Sequence, residues 1–388
     1  MAPPKRLNFG IFMAPFHIAG DNPTLSLQRD LELIEWLDVL GYDEAWIGEH
    51  HSLGWEMIAS PEIFIATAAE RTKHIRLGTG VVSIPYHHPF HVADRLVLLD
   101  HLTHGRVMLG VGPGALATDA YMLGIPAVLQ RERMNEGLGI IIRLMTEEEP
   151  ITYKSDWFEL NDAQLQLKPY QRPTMPIAIA STLTPSGVTS AGKHGAGVLS
   201  MASYAEHGMR AMKDQWTIWN EAAKEAGKPA PDRATWRIVM PFHLADSTEE
   251  AIRDIEDGVL AWNQYLSDVL GSPANPSSTS GREVAERLRA YGALIGTPDE
   301  AVAGIAKIQE MSGGFGCLLG FAHEWASREK TLRSYELMAR YVMPQVQDTV
   351  AWIDRSLQYN EDNKDKLMSG AKAAIDKAMA QRSDDKPK

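Results

Sequence analysis

Apolar residues in this chain gather into short runs that end on polar or glycine-rich tips, and between the runs they recur at helical spacing. The first run covers residues 7–13 and stops at Ala14-Pro15-Phe16-His17 and a turn rich in Gly, Asp, Asn and Pro. Pro23 and Thr24 then open a helix whose stripe, Leu27, Leu31, Ile34, Leu37 and Leu40, ends at Gly41. The next run, 44–48, leads straight into Glu49, His50 and His51. The same grammar recurs. A helix from Ser60-Pro61 to about Lys73 precedes a strand over 75–84, and a helix over 89–104 precedes a strand over 107–111 that closes on Gly112-Pro113-Gly114. Strands over 177–181, 197–201, 236–244 and 316–321 follow, with helices running to His194, over about 205–226, from Ser247 and from Ser327. Strict alternation implies a parallel sheet with right-handed crossovers, and eight strand–helix pairs favour closure: the fold class is α/β, a (β/α)8 TIM barrel.

Two segments break the rhythm. Residues 151–173 alternate at strand period and predict a hairpin excursion before the fifth strand. Residues 271–281, Gly-Ser-Pro-Ala-Asn-Pro-Ser-Ser-Thr-Ser-Gly, cannot pack a core and predict a mobile loop before the eighth strand, a candidate lid. The resulting organisation is a flexible N-terminus (1–6), a single barrel domain (7–345) and a charged helical tail (346–388).

Composition narrows the function. Hydrophobic residues at 44% and charged ones at 23% suit a soluble globular protein; no run is long enough to span a bilayer, and nothing resembling a signal peptide follows residues 1–6, so a cytoplasmic location is expected. The single cysteine, Cys317, sits in an apolar run and can form neither an internal disulfide nor a thiolate metal site. A net charge of −12 without a basic stripe argues against nucleic acid or an anionic membrane as partner and leaves a small molecule.

Parallel barrels gather reactive side chains where their strands end, which makes His50 the first candidate for chemistry; a strand-capping histidine is the plainer alternative. Thirteen histidines raise the question of zinc. No His-Glu-x-x-His, Cys pair or His-x-His at the first strand is present, so no metal is expected. Gly110-Val-Gly112-Pro-Gly114 lacks the third-glycine spacing of a dinucleotide fingerprint, and no Walker A motif occurs, so a nicotinamide bound in Rossmann fashion is not expected. Gly78 and Gly80 would let a flat ring approach the backbone, or are simply packing glycines. An anion site is better supported: Ser181-Thr182-Leu183-Thr184-Pro185-Ser186 lies between a strand and the start of its helix, and Arg131 and Arg133 open the helix after the neighbouring strand.

Trp46-Ile47-Gly48-Glu49-His50-His51, then residues 75–82 with His88-Pro89 and Leu98-Leu99-Asp100, then Gly105-Arg106-Val107 leading into Gly110-Val-Gly112, together with Gly296-Thr297-Pro298-Asp299-Glu300, resemble the bacterial luciferase-like flavin monooxygenases over about residues 7–345. The resemblance implies a usually dimeric barrel that holds reduced FMN, with FAD or a deazaflavin possible, at its C-terminal mouth. By position His50 matches the family's catalytic histidine, Ser181 and Thr184 the hydroxyls on the flavin phosphate, and Arg133, with Arg131, a phosphate-binding arginine. Thr79-Gly80-Val81 matches the strand that lines the flavin ring, often beside a non-proline cis peptide. Where the luciferases carry Cys-Arg after the fourth strand, this chain has Gly112-Pro113, which argues against light emission but not against the flavin site.

What the family implies is then the oxygenase component of a two-component monooxygenase. It would take reduced flavin from a separate NAD(P)H:flavin reductase and react it with O2 through a C4a-(hydro)peroxyflavin. Phe12, Phe16, Trp55, Met57, Tyr86 and Tyr121 lie near strand ends and could wall a dry pocket for a small apolar substrate. Epoxidation of a limonene-type alkene is favoured. Baeyer–Villiger or aldehyde oxygenation, a deazaflavin-dependent oxidoreductase and a non-catalytic flavin-binding protein are the alternatives. With an ordinary pKa near ~6.5, His50 could donate or accept a proton around neutrality.

Overall fold

The computed structural model describes residues 6–14, 16–182, 184–201, 206–269 and 280–384. Eight parallel strands close into a barrel: β1 (Asn8–Met13), β2 (Glu44–Ile47), β3 (Arg76–Thr79), β4 (Val107–Gly112), β5 (Ile177–Ser181), β6 (Gly197–Ser200), β7 (Trp236–Met240) and β8 (Cys317–Phe321). Neighbours pair in chain order, and β8 returns to β1 through the register Phe12↔Phe321. Strands β2, β4, β6, β7 and β8 are buried along their whole length, as expected of a sheet covered on the outside by helices and filled within by side chains.

Local sequence explains where the helices begin and end. Asn22 accepts the N–H groups of Thr24 and Leu25 at the start of Pro23–Leu40, which terminates at Gly41 with φ 82°. Thr297 and Glu300 form a reciprocal capping box ahead of Pro298–Ser312, the helix that precedes β8. Ile151–Lys154 and Glu159–Ala163 make the antiparallel hairpin expected before β5. Residues 271–279 of the loop expected over 271–281 lie outside the described residues.

Two strands are shorter than their apolar runs. The run over 75–84 breaks after Thr79: Gly80–Val81 is a cis peptide, and the chain resumes as Val82–Ser83, paired with the end of β4. The run over 236–244 breaks at Pro241, which has no N–H for the ladder. Phe242–Leu244 leaves the barrel there and pairs in parallel with Leu294–Gly296.

The barrel interior is polar at one level and crowded at the next. Glu44 and Trp46, two residues apart on β2, project to the same face. Arg237 on β7 donates from Nε to Glu44 Oε2 at 2.6 Å and from Nη2 to Oε1 at 2.8 Å, all of it buried. Trp46 Nε1–H also donates to Glu44 Oε2, at 2.8 Å, and the guanidinium lies 4.9 Å from the Trp46 ring centroid. Burial alone would raise the Glu44 pKa, but the charge and hydrogen bonds of Arg237 outweigh it and hold the carboxyl below its ordinary value. The indole occupies space that β3 and β4 leave free. A Cβ on Gly78 would stand 2.6 Å from Trp46 Cε3, and one on Gly110 would stand 3.0 Å from Trp46 Cζ3 and 2.0 Å from the Thr79 carbonyl oxygen.

The chain divides into two compact units, Met1–Val342 and Met343–Lys388. The second unit holds the helices Met343–Val346, Ala351–Asp362 and Lys364–Asp384. No helix among the described residues is long and apolar enough to cross a membrane.

Candidate active site at the barrel mouth

Past the end of β2 the side chains alternate in direction. Glu49 and His51 serve one cluster and His50 another. Glu49 is buried; its Oε1 accepts from His51 Nε2 at 2.9 Å and from His87 Nε2 at 2.6 Å, and its Oε2 accepts the Ser83 N–H at 2.8 Å. Burial pushes the Glu49 carboxyl up, but those imidazoles and the backbone donor outweigh it and leave it below its ordinary value. The histidines therefore spend their Nε2 atoms on a carboxylate, and no group of His, Cys, Asp or Glu among the described residues is arranged to hold a metal ion.

His50 lies between two carboxylates that sequence reasoning did not single out. Its Nε2 is 2.8 Å from Glu56 Oε2, and its Nδ1 is 3.5 Å from Asp119 Oδ2. Asp119 comes from the short helix Ala117–Met122, and its Oδ1 accepts the His51 N–H at 3.2 Å and the Ser52 hydroxyl at 2.5 Å. Burial disfavours a charged ring, yet Asp119 and Glu56 outweigh it and raise the His50 pKa to about 9. At neutral pH the ring is thus an imidazolium, a donor only, where the unperturbed value had left both roles open.

The loop that carries Glu56 is fastened on both sides. Phe16 bridges to Glu56, His17 N–H donates to the Trp55 carbonyl, and His50 N–H donates to the Ile58 carbonyl. This brings Trp55 against Tyr265, stacked at 4.5 Å between centroids, and Phe16 edge-on to Tyr265 at 5.8 Å and to Phe321 at 5.4 Å. Phe12 stacks beside Phe321 at 6.3 Å. Phe12, Phe16 and Trp55 therefore meet in one aromatic wall, which Tyr265 and Phe321 complete. Tyr265 opens the π-helical turn Tyr265–Val269, and its hydroxyl is 3.5 Å from Glu56 Oε1. Met57 is half-buried next to Glu56, and Tyr86 packs edge-on to His51 at 6.0 Å while its hydroxyl accepts from Gln130. Tyr121 does not join them. It is 85% exposed, because the helix Ala117–Met122 buries Asp119 and Ala120 and turns Tyr121 outward.

Thr79 donates its hydroxyl to the Gly110 carbonyl at 2.7 Å and accepts the Gly110 N–H at 2.9 Å, so its side chain is committed to β4. At the tip of β5, Ser181 Oγ is buried with no hydrogen-bond partner. The helix Ser186–His194 starts directly behind it from Pro185, which supplies no side-chain cap. Gly187 permits that approach: a Cβ there would stand 2.4 Å from the Ala180 carbonyl oxygen and 2.7 Å from Ser181 Cα. Thr184 is exposed, with its hydroxyl 2.9 Å from that of Ser186. Arg133 is half-buried, 3.6 Å from Asp156 and over the Trp157 ring, with its Nε unpartnered, whereas Arg131 is exposed.

Residues 7–313 match the family model for luciferase-like monooxygenases. The chain is 48% identical to 4-hydroxyprotoasukamycin monooxygenase of Streptomyces nodosus subsp. asukaensis over 343 residues, covering 88% of this chain and 92% of that protein. It is 45% identical to limonene 1,2-monooxygenase of Rhodococcus erythropolis over 340 residues, covering 87% and 86%. Among solved structures, the oxygenating constituent of 3,6-diketocamphane monooxygenase from Pseudomonas putida, a type II Baeyer–Villiger enzyme in complex with FMN, superposes with a TM-score of 0.74 at 24% identity, over 87% of this chain and 98% of that one. A family model spanning most of the barrel and two relatives near half identity agree with the closed barrel and its polar mouth: the chain belongs to the luciferase-like monooxygenase family of enzymes.

Proposed function

We propose that the protein is the oxygenase component of a two-component system that uses reduced FMN and O2 to oxygenate a small apolar molecule. The observation that carries this reading is the half-buried His50 ring held between Glu56 and Asp119 at the mouth of the barrel, beside an aromatic wall. When bound, reduced flavin supplies the activation of oxygen; the protein's share is to bind, orient, exclude water and manage a proton. Ser181 Oγ and the uncapped first turn of Ser186–His194 fit a phosphate, with Thr184 beside them; Arg133 and Arg131, from the start of the helix after β4, would supply its counter-charge. Thr79, Gly80 and Val81 offer backbone to the ring, and Phe12, Phe16 and Trp55, flanked by Met57 and Tyr86, keep water from the reacting atoms. His50 is the catalytic residue, holding a proton at its ring.

The absence of a dinucleotide fingerprint supports a separate NAD(P)H:flavin reductase as electron source, as does the solved neighbour's description as an oxygenating constituent. A homodimer is part of the proposal, supported by the open apolar residues Ile63, Leu98 and Leu102 on the helices Pro61–Arg71 and Pro89–Leu102. For the substrate, the relation to the limonene enzyme favours epoxidation of a terpene alkene.

The test is to supply photoreduced FMN, FAD or a reduced deazaflavin to the protein with O2, offering limonene or a bicyclic ketone, and to measure oxygenated product against hydrogen peroxide. Epoxide formed from reduced FMN is the expected result. Product from the ketone alone transfers the reading to Baeyer–Villiger chemistry, and peroxide as the sole outcome with every flavin overturns it. Ser181→Ala is expected to weaken FMN binding by roughly 10-fold, the loss of one hydrogen bond to a charged group. Riboflavin, which lacks the phosphate, should bind both forms equally; calorimetric titration of the two flavins checks this.

A further inference from the structure

The two contacts of the His50 ring are unequal. Nε2 lies at full hydrogen-bond distance from Glu56, 2.8 Å, while Nδ1 is buried without a hydrogen-bond partner, 3.5 Å from Asp119 Oδ2. The Asp119 carboxylate is already engaged through its other oxygen, by the His51 N–H and the Ser52 hydroxyl. Glu56 is held by its surroundings and makes the shorter contact with the ring. It is buried, its backbone bridges to Phe16, and its Oε1 stands 3.5 Å from the hydroxyl of Tyr265, which is itself stacked on Trp55.

We infer that Glu56 is a positioning residue for His50: its carboxylate takes the Nε2–H and fixes the ring plane and its charge. The inference rests on the catalytic reading of His50. The arrangement is that of a carboxylate holding one side of an imidazole and so fixing its tautomer and plane. The groups that face His50 are Glu56 from the loop after β2, Asp119 from the helix Ala117–Met122, the Tyr265 hydroxyl behind Glu56, and the adjacent His51 ring; Glu49 is turned away to His87.

The test reads the ring itself. The full-length protein, labelled with 15N in its histidine side chains and free of flavin, is titrated by long-range proton–nitrogen correlation, with His50→Asn assigning the signal. In the wild type the His50 midpoint should lie near 9, and the neutral form should carry its proton on Nε2. Glu56→Gln should lower the midpoint by at least ~1 pH unit. The alkaline limb of product coupling should move down with it. Asp119→Asn should lower the midpoint while leaving the proton on Nε2. Glu56→Asp, which withdraws the carboxylate by one methylene, gives a second reading and should also lower the midpoint. A neutral ring protonated on Nδ1, or a midpoint that Glu56→Gln leaves unmoved, overturns the inference. If the titration behaves as described while every reduced flavin yields only peroxide, the positioning by Glu56 stands and the oxygenase reading falls.

Discussion

His50→Ala should lower oxygenated product per O2 consumed by roughly 10²-fold or more, the usual contribution of a positioned acid or base. Hydrogen peroxide should take the place of product, and FMN affinity should hold, because the groups proposed to take the phosphate lie at the tip of β5 and not at β2. With its pKa raised to about 9 the ring is charged at neutrality, and in the proposed role it would serve as an acid. Coupling in the wild type should therefore be flat through neutral pH and decline as the pH rises through about 9, where an unperturbed histidine would fail near 6.5. Alanine also leaves Glu56 and Asp119 facing a void without their cation. His50→Asn, which keeps a polar donor there but cannot ionise, separates lost proton transfer from lost packing and should uncouple to a similar extent. Simultaneous assay of product and peroxide across pH checks both variants, and coupled turnover in either one would remove His50 from the chemistry.

The second large effect is on stability. Arg237→Met should cost about 3–5 kcal/mol, because it leaves the Glu44 carboxylate buried in the barrel without its cation. Much of that loss should return in the double variant with Glu44→Gln, since a neutral amide needs no counter-ion and its oxygen can still accept from Trp46 Nε1. Urea midpoints for the four members of the cycle measure the coupling. The pH dependence has a definite sign. Glu44 is held below its ordinary value of 4.5, so its contribution is complete above that pH and is lost as the pH falls through the lower folded value. The single variant should lack this part of the acid limb.

These effects sit on residues of unequal legibility. The barrel strands are apolar runs with polar ends, so the fold follows from the sequence pattern, as does the family. Pro241 was a visible reason to cut the run over 236–244, but where Phe242–Leu244 would go depended on a partner fifty residues away. Glu44 looked like a polar strand start and is instead half of a buried ion pair, because Arg237 joins it only when β7 and β2 face across a closed barrel. Glu56 and Asp119 are not legible in the sequence for a similar reason. They lie on a loop and in a short helix with no apolar period, and only folding gathers them around His50. Tyr121 shows the converse error, a large aromatic near a strand end counted as pocket wall where helical phase decides.

The fit between Trp46 and the glycines of β3 and β4 sets the order in which these positions can change. Gly78 faces the indole alone among its tightest neighbours, so a larger residue there becomes admissible once position 46 is smaller; Gly110 also meets the Thr79 carbonyl and stays closed either way. A library that varies one position at a time would find no route through 78. The route that exists passes first through a truncated Trp46, which opens a cavity that a larger residue at 78 then fills, so the intermediate is the worse packed; the hydrogen-bond donor taken from Glu44 does not return. Redesigning this barrel interior is therefore a matter of paired substitutions made together.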